Sequence, residues 1–237
     1  MSPARDVTAP WPSAPDTQAG LPLEIGIARP WTPPSALSVD PWMVLRLSRF
    51  RDRQAVPPAI WDATRAMVAH AATLAEPRAL FRPTRIARIG DDRVRLDGGS
   101  VFTGQAISRL LEGCPLAVPF VLTLGPRLEA EVAALGSRRD LLEAFLLDTA
   151  GWATIEVAVR ALRLHLAARV HTVGWRVTHR LAPGYQDWPL EEQRELLGAL
   201  GDGRDLVRLS PHGVLVPLKS ITGCFGVAPA SGAPSTV

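Results

Sequence analysis

The sequence predicts an α+β fold, with a single domain in which helices flank an antiparallel sheet. Three observations lead to this class: one long and several short segments with helical spacing of apolar residues, a hairpin signal, and two alternating segments near the C-terminus. The chain has 237 residues, of which 47% are hydrophobic and 21% charged. It is therefore long enough to bury one core, and its composition is that of a folded protein.

Composition excludes several classes of protein. No apolar run reaches the roughly 18 residues that a membrane span requires, and prolines interrupt the N-terminus where a signal peptide needs its apolar core. Cys114 and Cys224 are too few for a disulfide scaffold and too far apart for a cysteine-rich zinc site. These features predict a cytoplasmic protein outside the membrane. The net charge is +3, and 25 of the 26 basic residues are scattered arginines, so no nucleic acid partner is expected.

The N-terminal segment differs in amino-acid composition from the rest of the chain. Residues 1–34 hold eight prolines and no apolar periodicity, which predicts an extended arm outside the core. Trp11, Trp31 and Trp42 are expected to pin parts of this arm to the domain surface, or to be merely half covered. The predicted divisions are a proline-rich arm over 1–40, a folded domain over 41–228 and a flexible tail over 229–237.

The first half of the predicted domain contains both helix and strand signals. Helical spacing predicts a helix that begins at Pro58 and ends before Pro77. The runs TRIARI and RVRLDG flank the turn residues 90–92, which predicts a β-hairpin. Residues 100–111 are predicted to form a short helix. The apolar run CPLAVPFVLTLG, residues 114–125, contains prolines and is therefore predicted to be an edge strand or two short strands.

The longest predicted element is a helix over residues 140–170. Its expected core-facing arc consists of Leu141, Leu142, Phe145, Leu146, Trp152, Ala153, Val157 and Leu164. Glu156 falls in the middle of this arc, beside small residues that would allow a backbone or a ligand to approach closely. A carboxylate there requires a partner. The residues leave two alternatives open, an ion pair with Arg160 one turn later or a contact with a ligand or partner protein.

The C-terminal third begins with a predicted loop after Gly174. Pro189 then begins a helix with acidic residues in its first turn, and this helix ends near Gly201. The segments DLVRLS and GVLVPLKSITGCFGV, separated by residues 211–213, predict antiparallel strands that close the sheet.

The best candidate binding segment is His179–Gln193, HRLAPGYQDWPLEEQ. The sequence has no GxGxxG, Walker A or GxSxG motif, and no histidine spacing typical of a metal site, so no bound metal is expected. Arg180 offers a planar fork for a carboxylate, the Pro183-Gly184 pair predicts a turn, and Tyr185 is the only tyrosine in the chain. The residues alone also allow a plain connecting turn.

This loop is one of four segments that form a wider pattern. The pattern TLG..LE occurs within VLTLGPRLEAEVAALG, and LLDTAGWATIEVA is close to LDA.GS..VE. The loop itself contains RxxPGY…P.EEQ, and VLVPLKSITGCFGV contains P.KS..G..G. In this order, over about residues 57–227, the segments resemble the reactivation (activation) domain of cobalamin-dependent methionine synthase and its stand-alone relatives. Two positions depart from the pattern: Gln186 replaces a glycine common in the stand-alone relatives, and Trp152 replaces a small serine.

The resemblance implies a methionine synthase activation-domain fold that binds S-adenosylmethionine. Carried over by position, Arg180 would bind the carboxylate of S-adenosylmethionine. Ala182 and Gly184 would supply backbone contacts, with Pro183 between them in the same cofactor-binding loop. Tyr185, one of two expected catalytic residues, would lie between S-adenosylmethionine and the corrin.

The resemblance also implies a partner protein. Glu156, the second expected catalytic residue, matches an acidic helix position that faces a docked cobalamin domain. The chain has no cobalamin-binding DxHxxG motif, so cobalamin would be presented by a methyltransferase that lacks its own activation domain. The implied function is a stand-alone reactivation factor that supports reductive methylation of cob(II)alamin in methionine biosynthesis. The electron would come from flavodoxin or another low-potential reductase.

Two alternatives to this function remain open at the level of the sequence. One is a non-catalytic corrinoid-protein docking module that has lost S-adenosylmethionine binding. The other is an S-adenosylmethionine-dependent methyltransferase that acts on a small molecule without cobalamin.

Overall fold

The computed structural model describes residues 21–201 and 206–230, which form six helices and ten strands. The helices are α1 Pro41–Leu47, α2 Pro58–Leu74, α3 Gln105–Leu111, α4 Arg127–Arg138, α5 Leu141–His171 and α6 Gln193–Leu200. The strands are β1 Arg29–Trp31, β2 Arg78–Phe81, β3 Thr84–Ile89, β4 Arg93–Leu96, β5 Val101–Thr103, β6 Leu116–Thr123, β7 Trp175–Val177, β8 Arg208–Leu209, β9 Leu215–Val216 and β10 Ser220–Pro229. All pairs of these strands are antiparallel, which confirms the predicted α+β class.

An eight-stranded sheet forms the centre of the described chain, and β6 is its central strand. On one side β6 pairs with β10, which in turn pairs with β7. On the other side the C-terminal half of β6 pairs with β2 and its N-terminal end pairs with β3. The sheet continues from β2 to β1 and from β3 through the predicted hairpin to β4 and β5. Strands β8 and β9 form a separate two-stranded sheet.

The prediction of an edge strand or two short strands over residues 114–125 is wrong, because β6 is one continuous, fully buried strand at the centre of the sheet. Pro119 is tolerated within β6 because it lies between the part of β6 that pairs with β2 and the part that pairs with β3. Pro119 lies opposite Arg82, at the bend between β2 and β3. The Arg82 N–H donates to the Pro119 carbonyl at 3.1 Å, while the Arg82 carbonyl accepts from the Thr84 hydroxyl at 3.3 Å. Pro119 has no N–H to donate to the Arg82 carbonyl, but that carbonyl accepts from Thr84 and is therefore not left without a partner.

Both faces of the sheet are covered. Side chains at alternate positions of β6, Leu116, Val118, Phe120 and Leu122, belong to the core shared with α1, α2, α4 and α5. The intervening Ala117 and Val121 face a second core with α3 and α6. The period of two along β6 therefore sorts its side chains between the two layers of helices.

Helix α5 confirms the predicted long helix, whereas its predicted core-facing arc is correct only in part. Leu146 and Ala153 of that arc are buried, but five of its large residues are exposed: Leu141, Leu142, Phe145, Trp152 and Leu164. The buried side combines large apolar residues, such as Leu147, Ile155, Leu162 and Leu166, with small residues, such as Ala150, Gly151, Thr154 and Ala158. The small residues allow neighbouring elements to approach α5 closely.

Three local predictions need smaller corrections. Residues 100–111 do not form one helix, because β5 occupies their first part and Gly104, at φ +128°, separates it from α3. The helix predicted from Pro189 exists, but its first turn, Leu190–Glu192, is a 3-10 turn before α6. Of the two C-terminal segments, only the second contributes a strand, β10, to the main sheet.

The described part of the predicted arm, residues 21–40, packs on the domain. β1 pairs with β2 at the edge of the sheet, and Trp31 is buried against the main core. Trp42 stacks on Trp61 with ring centroids 6.2 Å apart. Trp31 contradicts the expectation that residues 1–34 lie outside the core, because its large apolar side chain is buried where β1 pairs with the edge of the sheet. Trp11 lies outside the described residues.

The C-terminal end of the described chain is also attached to the domain. The Ala230 N–H donates to the Gly174 carbonyl at 2.8 Å, and the rest of the predicted tail, 231–237, lies outside the described residues. The boundaries of arm, domain and tail stay predictions. Among the helices described, none has both the length and the apolar character that crossing a membrane would require.

Candidate functional site

The structure brings Glu156 of α5 and Arg180 of the candidate loop into contact. The distance from Arg180 Nη2 to Glu156 Oε1 is 3.1 Å. The side chain of Arg180 is 17% exposed and that of Glu156 is 45% exposed. The ion pair therefore lies at the protein surface, and Arg180 is the more deeply buried of its two members. The predicted ion pair of Glu156 with Arg160 is not formed, and the alternative contact with a ligand or partner protein stays a prediction. Arg180, which Glu156 contacts instead, comes from a loop 24 residues away along the chain.

Only part of the guanidinium of Arg180 is engaged. Its Nη1 atom is buried and has no hydrogen-bond partner among the described residues. The ring of Tyr185 lies to one side, with its centroid 6.0 Å from the guanidinium carbon, and Tyr185 itself is exposed. A partly buried guanidinium whose buried Nη1 has no hydrogen-bond partner is well suited to binding an anion, because a carboxylate satisfies such a donor with short, strong bonds.

Backbone hydrogen bonds hold the loop that carries Arg180. Leu181 exchanges two hydrogen bonds with Cys224 of β10, at 3.2 and 2.8 Å. The Tyr185 N–H donates to the Ala182 carbonyl at 3.1 Å, and the Gly184 N–H donates to the Trp188 carbonyl at 2.8 Å. The predicted turn is therefore present. Because the Gly184 N–H is engaged inside the loop, a backbone contact from Gly184 to a ligand falls to its carbonyl oxygen.

Two residues of the loop have backbone conformations that favour glycine. Gly184 has φ +87°, and a Cβ there would lie 3.1 Å from the Leu190 side chain. Gln186 has φ +56°, in the left-handed region that few non-glycine residues adopt. This conformation gives a physical reason for the glycine that the resembling sequences have at this position. Pro183 and Ala182, on the inner side of the turn, are buried.

The sequence analysis missed the side chains that fix the far end of the loop. The carboxylate of Asp187 accepts hydrogen bonds from the N–H groups of Gln105 at 2.7 Å and Ala106 at 2.9 Å, and these bonds lower the pKa of Asp187. Trp188 is buried, and its indole N–H donates to Glu192 at 2.7 Å. One signal was present in the sequence: α3 begins after Gly104, which has no side chain to cap the helix, so a cap from elsewhere is required.

A second missed cluster lies one helical turn from Glu156. Lys219, the only lysine of the sequence, is buried, and its Nζ atom lies 2.6 Å from the carboxylate of Asp148. The same Nζ lies 4.5 Å from the ring centroid of Trp152. Trp152 and Glu156 are four residues apart on α5 and therefore share one face. The Lys-Ser pair of the P.KS..G..G segment singles out Lys219 in the sequence. The sequence does not indicate which residues Lys219 contacts.

The two thiols do not contribute a nucleophile to the site. Burial raises the pKa of Cys114 to about 11 and raises the pKa of Cys224 well above its ordinary value. Both groups are therefore neutral thiols near pH 7, and the thiolate is the reactive form. Within residues 21–201 and 206–230, no three His, Cys, Asp or Glu side chains are grouped so as to hold a metal ion.

Comparison with solved structures decides the fold. A crystal structure of the MetH reactivation domain bound to AdoHcy matches 89% of this chain and 81% of that chain, with a TM-score of 0.64 and 12% sequence identity. The fold is that of a methionine synthase reactivation domain. The predicted resemblance is thereby confirmed at the level of architecture. No protein-family model matches the chain, and no curated protein matches it.

Within this reactivation-domain fold, the candidate residues of the sequence analysis fall in one place. Glu156, Arg180 and Tyr185 form a connected surface where α5 meets the loop, and Ala182 and Gly184 shape the turn between them. The functional role of each of these residues stays a prediction.

Proposed function

We propose that this chain binds S-adenosylmethionine and acts as a stand-alone reactivation factor for a cobalamin-dependent methyltransferase of the methionine synthase type. The observation that supports this most is the buried Nη1 of Arg180, which has no partner among the described residues and belongs to the loop predicted to bind the carboxylate. The MetH reactivation domain of the same fold was solved with AdoHcy, which is the product left when S-adenosylmethionine gives up its methyl group.

The residues around Arg180 have different roles in the proposed binding of S-adenosylmethionine. Glu156 takes the Nη2 side of the guanidinium and thereby orients the Nη1 side towards the carboxylate of the ligand. Such charge-assisted bonds are worth about 1.5–3 kcal/mol, because a buried cation gains more from an anion than an exposed one. Ala182, Pro183 and Gly184 form the rigid turn that places Arg180, and Tyr185 presents its exposed ring towards the partner.

The reaction that this arrangement would support is the conversion of cob(II)alamin to methylcobalamin on a separate protein. Cob(II)alamin gains one electron from a reductant such as flavodoxin and one methyl group from S-adenosylmethionine, which leaves as S-adenosylhomocysteine. The part of this chain is to hold the methyl donor through Arg180, and to offer Glu156 and Tyr185 as contacts for the cobalamin-bearing partner in the cytoplasm.

One observation favours a second candidate, a docking module that no longer binds S-adenosylmethionine. Arg180 already has a carboxylate partner in Glu156, so the pair is able to exist without a ligand. In that case the pair would only fix the loop against α5, and the surface would serve docking alone.

Calorimetric titration of S-adenosylmethionine separates the two candidates. We expect Arg180→Ala to weaken binding by about ten- to a hundredfold, the equivalent of the charge-assisted bonds that it loses. Arg160→Ala is the matched control, because Arg160 is an exposed arginine on α5, one helical turn after Glu156, and this variant should bind as the parent does. Absence of binding by the parent protein would support the docking module, and equal binding by Arg180→Ala would remove Arg180 from the site.

The reactivation role itself is tested in trans with a methionine synthase that lacks its own reactivation domain and comes from the same genome. The mixture contains S-adenosylmethionine and a low-potential reductant, and the visible spectrum reports the cobalamin state. We expect methylcobalamin to form only when this chain and S-adenosylmethionine are both present. Equal recovery without this chain would show that the reactivation role is wrong.

A further inference from the structure

Lys219 is buried against α5, and the proposed reaction assigns no role to it or to its neighbour Trp152. The stem of Lys219 crosses α5 at Gly151, where a Cβ would lie 2.9 Å from the lysine Cε. Its ammonium is held between the carboxylate of Asp148 and the ring of Trp152. A buried ammonium is costly unless it is paired, so this arrangement fixes the lysine and the two groups that it contacts.

The backbone next to Lys219 is equally fixed. The Lys219 carbonyl accepts from the Leu124 N–H at 2.9 Å, and the Ser220 hydroxyl donates to the Thr123 hydroxyl at 2.8 Å. The ammonium therefore has a defined position relative to the sheet. Trp152 is 44% exposed, and the contact of its ring with this cation favours the orientation seen in the structure.

Trp152 precedes Glu156 by one helical turn on α5, and Glu156 pairs with Arg180 at 3.1 Å. Residues four apart on a helix have Cβ atoms about 5–6 Å apart. The ring centroid of Tyr185 lies 6.0 Å from the guanidinium carbon of Arg180. Trp152 is therefore an exposed aromatic side chain one helical turn from the residue that pairs with Arg180.

We propose that the indole of Trp152 is the surface on which the adenine ring of S-adenosylmethionine stacks, and that Lys219 is the positioning residue that holds this indole in place. The inference rests on the proposed binding of S-adenosylmethionine. Adenine is flat and aromatic, and bases bind by stacking on exposed aromatic side chains of fixed orientation. A small serine, the usual residue in the resembling sequences, offers no such surface, so this contact would be particular to this chain.

The first test compares Trp152→Ser with the matched control Phe145→Ser. Phe145 is an exposed aromatic residue about two turns earlier on the same helix and does not contact Lys219. Titrations use S-adenosylmethionine, adenosine and methionine as separate probes. Trp152→Ser should weaken the binding of S-adenosylmethionine and adenosine by about five- to a hundredfold and leave methionine unchanged, whereas Phe145→Ser should leave all three unchanged.

The second test asks whether Lys219 acts through Trp152. Lys219→Met keeps the length of the side chain and removes its charge, and Lys219→Met with Asp148→Asn also removes the unpaired carboxylate in case the single variant folds poorly. Labelling with 5-fluorotryptophan gives a ¹⁹F signal for residue 152, identified by its loss in Trp152→Phe. We expect this signal to shift in the lysine variant, adenosine binding to weaken, and methionine binding to stay at the parent value.

A double-mutant cycle distinguishes positioning from a general structural role. When Trp152 is already serine, Lys219→Met should have no further effect on the affinity for S-adenosylmethionine. A further loss in that background, or an equal loss of methionine binding, would overturn the role of Lys219. A parent that binds S-adenosylmethionine while Trp152→Ser binds it equally well would overturn the adenine site alone. A parent that does not bind S-adenosylmethionine would overturn the proposed function, and this inference with it.

Discussion

Strand β6 and the loop of residues 181–188 are both fixed in the structure, but by different forces. β6 has every side chain buried and is held by apolar packing on both faces. The loop exposes half of its residues and is held by a few hydrogen bonds, those of Leu181 to Cys224, Asp187 to α3 and Trp188 to Glu192. Substitutions in β6 should therefore lower stability, whereas substitutions in the loop should change binding at a smaller cost in stability.

The largest effect is expected at the centre of β6. Phe120 is fully buried and stacks on Phe225 with ring centroids 4.8 Å apart. Phe120→Ala should lower the free energy of unfolding by about 3–5 kcal/mol, because it removes buried area and leaves a cavity. Urea denaturation followed by circular dichroism measures this. Phe145→Ala, an exposed phenylalanine on α5, should change stability by no more than about 0.5 kcal/mol. Similar losses of unfolding free energy in both variants would contradict the expected difference between a buried and an exposed phenylalanine.

A smaller effect is expected where the loop has a conformation that requires glycine. Gly184→Ala places a Cβ at φ +87° and 3.1 Å from Leu190, which should lower stability by about 1–3 kcal/mol. Because the turn places Arg180, the same variant should also bind S-adenosylmethionine more weakly. Unfolding curves and calorimetry on one preparation measure both quantities. A stability loss with unchanged affinity would mean that the turn does not position Arg180.

The reverse substitution two residues later should stabilise the protein. Gln186 has φ +56°, a conformation that costs a non-glycine residue about 1–2 kcal/mol, and glycine gives back part of this through its greater freedom in the unfolded chain. Gln186→Gly should therefore raise the free energy of unfolding by about 0.5–1 kcal/mol. The melting temperature measures the change. A lower melting temperature would indicate that the glutamine side chain makes a contact that outweighs the strain.

The smallest effect is expected from the charge of Asp187 and depends on pH. The N–H groups of Ala106 and Gln105 lower the pKa of this carboxyl in the folded state below its ordinary value of 3.8. A lowered pKa in the folded state means that the carboxylate stabilises the fold above pH 3.8, and that this contribution is lost as the pH falls further. Asp187→Asn should therefore be less stable than the parent at pH 7, with a difference that shrinks below pH 3.8. A difference independent of pH would mean that the amide replaces the carboxylate fully.

Local patterns were sufficient for most elements of the fold. Pro58 and the apolar spacing after it fix the start of α2, and Gly90–Asp92 marks the turn between β3 and β4. The position of β6 could not be read in the same way. Its prolines suggested an edge, and the register that places Pro119 opposite Arg82 depends on a bend between two other strands.

The inner face of α5 shows a limit of periodicity arguments. Large apolar residues occur around most of the helix, both on its buried side and among its exposed residues, so more than one arc satisfies a helical period. The buried side includes Gly151, which Leu128 and Lys219 approach closely. The small residues near Gly151 indicate that a close approach is possible, but the approaching element depends on the rest of the fold.

The candidate site was partly predictable. Arg180, Gly184 and Tyr185 were found because arginine, a Pro-Gly turn and a single tyrosine in one loop have recognisable chemistry. The contact of Glu156 with Arg180 joins two segments 24 residues apart, and that of Lys219 with Asp148 joins segments 71 residues apart. No local rule relates such positions, so the sequence offers Arg160, four residues after Glu156, as an ion-pair partner but does not indicate Arg180.

The burial of Lys219 determines which labelling chemistry can map a partner of this protein. It is the only lysine in the sequence, and its ammonium lies under the surface between Asp148 and Trp152. Amine-directed reagents such as succinimidyl esters therefore have no exposed lysine to modify in the folded chain, and acetylation or ubiquitination of an exposed lysine is likewise impossible. Arginine-directed dicarbonyls, or carbodiimide coupling through carboxylates such as Glu156, reach the exposed face of α5. Cross-linking to a cobalamin-bearing protein should begin with them.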